Sequence, residues 1–111
     1  MNAQVVDSSK ASVVDECVNK AQDFYAVGNL DSILHYYNKG LETAQTYNLK
    51  NKSADVYYEL AKLYMMMGIN DSVMANFTRS ADKARAGNYW KGLNKALCQM
   101  ASVCWSTGKN L

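Results

Sequence analysis

The chain has 111 residues, 49% of them hydrophobic and 20% charged, with a formal net charge of +2. That length can bury a core without metals or disulfides, and the charge is too small to imply nucleic-acid binding by itself. Proline is absent and glycine scarce, which points to an all-α chain, and no apolar run approaches the roughly 18 residues of a membrane span.

Met1 to Asp7 lacks the basic patch and apolar stretch of a secretory signal, which favours the cytoplasm if Met1 is the natural start. The first predicted helix covers 9–27, with Cys17, Lys20, Ala21 and Phe24 at the spacing of one helical stripe. Gly28 closes it, because glycine takes a left-handed cap without a Cβ penalty. The second helix is predicted over 30–47, with the stripe Ile33, Tyr37, Gly40, Leu41 and Ala44. Asp31 lies at its start, where a carboxylate faces free amides and the positive dipole end, and Asn48 is placed to cap its end.

The third helix is predicted over 52–67, on the stripe Tyr57, Leu60, Ala61 and Tyr64, and Gly68 closes it. A fourth, over 70–86, carries Val73, Phe77, Ser80, Ala81 and Ala84, with Asp71 at its start and Asn88 after its end. A fifth, over 89–107, carries Leu97, Met100, Ala101 and Cys104 before Gly108. Every feature recurs at forty residues: Gly28, Gly68 and Gly108; Ala21, Ala61 and Ala101; Asp31 and Asp71; Asn48 and Asn88. A fixed period of this size is the mark of stacked helical repeats. A small residue recurring in the middle of each stripe predicts the same close helix contact three times.

The small-residue, aromatic, glycine helix followed by an aromatic, small-residue helix resembles the tetratricopeptide repeat (TPR). The match rests on Leu60, Ala61, Tyr64, Gly68, Val73, Phe77, Ser80 and Ala81. It is repeated by Ala21, Phe24, Gly28, Ile33, Tyr37, Gly40 and Leu41, and by Ala101 and Gly108 in the third copy. The resemblance implies an all-α, right-handed α-solenoid of antiparallel helix pairs. It gives one domain over 1–111 with repeats near 9–47, 52–86 and an incomplete 89–111, a fragment of a longer array. The usual repeat is about 34 residues. The forty-residue period and the missing proline resemble the longer-repeat variety found in bacterial signalling proteins.

In that family the first helix of each pair lines a concave groove. The resemblance therefore implies a partner-binding groove of Val18, Gln22 and Tyr25, then Tyr58, Lys62, Met65 and Met66, then Cys98, Ser102 and Trp105. Tyr25, Met65 and Trp105 are equivalent positions, and large apolar or aromatic side chains there would grip an extended or helical peptide. An inner helix also touches neighbours on two sides, so the same arc is open to a packing role. The subclass that clamps a terminal carboxylate does not fit, because the matching positions hold Val18, Gln22 and a repelling Glu59.

Charge is uneven: residues 1–55 sum to −2 and residues 56–111 to +4, with Arg79, Lys83, Arg85, Lys91 and Lys95 forming a loose basic stretch. A solvated helix surface accounts for it, and a nucleic-acid role would require it to face the same way as Trp105. Cys98 and Cys104 lie about 9 Å apart along one helix, too far for a disulfide, and no cysteine–histidine set has metal spacing. The one histidine, His35, has no nucleophile beside it, and no phosphate-cradling loop is present. The expectation is thus no enzyme and no cofactor, but a protein- or peptide-binding module, the sensory or adaptor part of a larger bacterial signalling or regulatory protein. The alternatives are a self-associating scaffold, pairing through the apolar last helix, or a helical-repeat nucleic-acid binder.

Overall fold

The computed structural model describes residues 8–106. They form α1 (Ser8–Asp23), α2 (Leu30–Thr46), α3 (Lys50–Met67), α4 (Asn70–Ala86) and α5 (Trp90–Ser106), and no strand is found among them. Gly108 lies outside the described residues. The predicted boundaries hold to within two residues except at the end of α1, expected at 27. After Asp23 the amides of Phe24 and Tyr25 bond back three residues, to Ala21 and Gln22 (both 3.1 Å). The chain tightens into turns before Gly28, which gives up the α-helical ladder early.

The turns follow one pattern. Gly28 and Gly68 are left-handed, at φ 69° and 76°. Asn48 and Asn88 take the same conformation without glycine, both at φ 54°, which asparagine tolerates better than other L residues. The amide after each of these four residues donates to a carbonyl five residues back: Asn29 to Phe24, Leu49 to Ala44, Ile69 to Tyr64 and Tyr89 to Ala84. At the start of α2 the cap is not Asp31 but Asn29, whose side chain accepts from the Ser32 amide at 3.1 Å. Asp31 and Asp71 sit inside the first turns, where the dipole still favours them, and α4 has Ile69 at its N-cap position, which makes no side-chain cap bond.

Consecutive helices pack on one another, α3 touches all four others, and α1 reaches neither α4 nor α5. The packing is therefore a row, not a closed ring. Extents of 51 × 34 × 17 Å agree, since 17 Å accommodates about two helix layers at 8–10 Å spacing. The largest core joins α1, α2 and α3 through Val14, Ala21, Ile33, Tyr37, Ala44, Val56, Leu60 and Leu63. Two smaller ones tie α3 and α4 to α5: Ala54, Ala81, Ala84, Leu93 and Ala96; and Tyr58, Ala61, Val73, Phe77 and Val103.

In the first two copies the predicted stripes are buried at Cys17, Ala21, Ile33, Tyr37, Gly40, Ala44, Leu60, Ala61, Val73, Phe77, Ser80, Ala81 and Ala84, while the aromatic Phe24, Tyr57 and Tyr64 and the aliphatic Leu41 are half-buried. Ala21 and Ala61 are 0% exposed, as are Tyr37 and Phe77. Small residues set the helix approach: a Cβ on Gly40 would lie 3.2 Å from that of Cys17, while Ser80, its equivalent, donates its hydroxyl to the Ala54 carbonyl at 2.7 Å. The third copy departs. Ala101 is exposed and Leu97 is 42% exposed, because no helix among the described residues packs on that side of α5. Lys20, on the first stripe, is also exposed, with its ammonium 5.8 Å from the Tyr36 ring centre.

Candidate functional site

Three helices that are not neighbours in sequence, α1, α3 and α5, wall two adjoining hollows. The first, about 500 Å³, is lined by Gln22 and Tyr25 of α1 and the turn after it, by Glu59, Lys62, Met65 and Met66 of α3, and by Gln99 of α5. The second, about 520 Å³, is lined by Tyr58 of α3 and by Lys91, Asn94, Lys95, Cys98 and Gln99 of α5. Gln99 borders both, so the two adjoin at that side chain.

The two halves differ in chemistry. The first presents thioethers beside a tyrosine: Met65 is 40% and Met66 70% exposed, next to Tyr25. Its charges are matched, with Lys62 Nζ 3.4 Å from the Glu59 carboxylate. The second is basic. Two ammonium groups lie over the Tyr58 ring, Lys62 at 5.2 Å and Lys95 at 4.4 Å from its centre, and Lys91 stands on the same wall. Tyr58 itself is only 8% exposed and packs edge-on against Phe77, with ring centres 5.5 Å apart, so its body belongs to the core and its face to the hollow.

Near the first hollow sits one buried polar atom. The Tyr37 hydroxyl has no hydrogen-bond partner. Burial, the Tyr25 hydroxyl and the Glu59 carboxylate push its pKa far above the ordinary tyrosine value. Tyr89, by contrast, donates to Asp55 at 2.8 Å and ties the start of α5 to α3. Burial and that bond raise its pKa to about 12.

Of the ten groove residues expected from sequence, the first hollow gathers Gln22, Tyr25, Lys62, Met65 and Met66, and the second gathers Tyr58 and Cys98. Val18 borders a separate hollow between α1 and α3, beside the 2.8 Å Lys52–Asp15 ion pair. Ser102 and Trp105 line neither hollow; both are exposed on α5, Trp105 by 85%. The structure adds Gln99, Asn94, Lys91 and Lys95. Gln99 was findable, since it stands forty residues after Glu59. The lysines read as solvated charge until α3 is set beside α5.

The basic stretch does not act as a unit. Arg85 is on α4 and pairs with Asp82 at 3.3 Å, while Lys91 and Lys95 belong to α5. His35 is exposed on α2, edge-on to Tyr36 at 5.0 Å. The furrow it borders with Asn38, Lys39 and Glu42 is one face of a single helix, with no opposite wall among the described residues. Cys17 is buried, which raises its thiol pKa. Among the described residues no helix is long and apolar enough to cross a membrane. Comparison of the chain with protein-family models, with curated proteins and with solved structures finds no match in any of the three.

Proposed function

We propose that the chain is a TPR-like interaction module, a right-handed stack of antiparallel helix pairs whose first helices, α1, α3 and α5, face a concave groove. The groove binds a peptide or a helical segment of a protein partner. In this reading the chain is the sensory or adaptor part of a larger bacterial signalling or regulatory protein. One observation carries the proposal: helices separated by whole hairpins converge on adjoining hollows, and the methionines there are left open to solvent. Methionine is flexible and polarizable, so it adapts to varied apolar side chains, and a groove between helices suits an amphipathic segment.

The test is a selection from a random peptide display library against the immobilised chain. Enriched peptides are expected to carry apolar anchors. The double variant Met65→Glu, Met66→Glu should weaken their binding at least tenfold, about 1.4 kcal/mol. Its circular dichroism should not change, because both side chains are already solvated. Failure to enrich any sequence, or equal binding by the double variant, overturns the proposal.

A further inference from the structure

Helix α5 brings to the second hollow two positive charges that no carboxylate answers. Among the described residues the ion pairs are Lys52–Asp15, Lys62–Glu59 and Arg85–Asp82, which leaves Lys91 and Lys95 without one. The repeat does not require a lysine at position 95. Its equivalents in α1 and α3 are Asp15 and Asp55. Both are engaged: Asp15 pairs with Lys52, and Asp55 accepts from the Tyr89 hydroxyl, each at 2.8 Å. At α5 the same helix position carries the opposite sign.

Lys95 is also held in place. Its ammonium lies 4.4 Å from the centre of the Tyr58 ring, and that of Lys62 lies 5.2 Å from the same centre. Tyr58 is 8% exposed and packs edge-on against Phe77, so the ring is a fixed platform. A lysine normally gives up rotamer freedom when it grips a ligand, and here part of that loss has already occurred. Two ammonium groups over one ring lie within a Debye length of each other, so their fields add.

The adjoining hollow defines the rest of the occupant. Met65 and Met66 follow Tyr58 by seven and eight residues, about 10–12 Å along α3. The charges of that hollow already cancel, through Lys62 and Glu59. Building on the groove reading above, we infer that the partner is an acidic amphipathic segment. One apolar side chain seats against Met65, Met66 and Tyr25, and an Asp or Glu side chain about 10 Å away meets Lys91 and Lys95. That separation is seven residues in a partner helix, on one face, or three in an extended one. A nucleic-acid backbone fits worse, because it needs a continuous basic track. Here the two lysines border methionines, and Arg79, Lys83 and Arg85 are on α4, which lines neither hollow.

The probes are peptides from the display selection, made with a fluorescent label and an amidated C-terminus, so that only side-chain carboxylates remain. Binding to the whole chain is read by anisotropy. The peptides should carry Asp or Glu at the stated spacing from an apolar anchor, and replacing that acid by Asn or Gln should weaken binding at least tenfold. Lys91→Glu with Lys95→Glu should weaken the acidic peptides as much, and should bind peptides with Lys in place of the acid at least tenfold better than the parent chain does. Lys39→Glu with Arg79→Glu makes the same change in net charge on α2 and α4, and should leave binding unchanged. All four positions are exposed, so the helical dichroism should not move. Peptides that need Met65 and Met66 but ignore Lys91→Glu with Lys95→Glu would overturn this inference and leave the groove standing. Equal loss in both charge-reversed variants would trace to net charge and overturn it too. Displacement of the peptide by a short single-stranded DNA would assign the lysines to phosphate instead. Failure to enrich any peptide overturns both readings.

Discussion

Tyr37 and Phe77 occupy equivalent positions and both are fully buried. They differ by one oxygen. In Tyr37 that oxygen is out of water and makes no hydrogen bond, and an unsatisfied buried hydroxyl costs about 1–3 kcal/mol. The second repeat shows that the site works without it. Tyr37→Phe should therefore stabilise the chain by about 1 kcal/mol, raising the melting temperature by about 4 °C. A drop in melting temperature would show that Tyr25 or Gln22 satisfies the hydroxyl in solution. Ser80 makes the opposite case: its buried hydroxyl is paired with the Ala54 carbonyl, where the first repeat uses Gly40 and bare contact with Cys17. One close approach is thus reached by two chemistries.

At the scale of the element, helix faces are set by what lies against them. Ala61 sits at the α3–α4 contact with no exposed surface. Ala61→Leu should force the pair apart and destabilise by about 1–3 kcal/mol through overpacking, read as a lower midpoint in urea denaturation. An unchanged midpoint would mean that the contact yields freely. The stripe, the caps at Gly28 and Gly68, and the left-handed Asn48 and Asn88 were legible in the residues, because local geometry demands those residue types at those places. The early end of α1 was not. Residues 24–27 have the composition of a continuing helix, and the tightening after Asp23 is a choice between two hydrogen-bond ladders of similar energy.

For the whole molecule, a row of helices has unequal ends. The core around α1, α2 and α3 is the largest, whereas among the described residues α5 is held on one side, through Leu93, Ala96, Val103 and the Tyr89–Asp55 bond. Hydrogen exchange on a dilute sample should therefore show the slowest amides in α2 and α3 and the fastest helical amides in α5. Uniform protection across all five helices would mean that the row opens only as a unit.

Sequence alone determined the helical class, the forty-residue period, the turn chemistry and most of the buried positions on the stripes of the first two copies. Each of these follows from periodicity or from a residue's own backbone preference, both of which travel with the chain. Tertiary structure decided the rest. Ala101 has the same local signature as Ala21 and Ala61, yet it is exposed, because burial belongs to a pair of surfaces and not to a residue. For the same reason Gln99, Lys91 and Lys95 became wall residues only when α5 was laid beside α3. Seven of the ten expected groove residues came together there, and Val18, Ser102 and Trp105 did not.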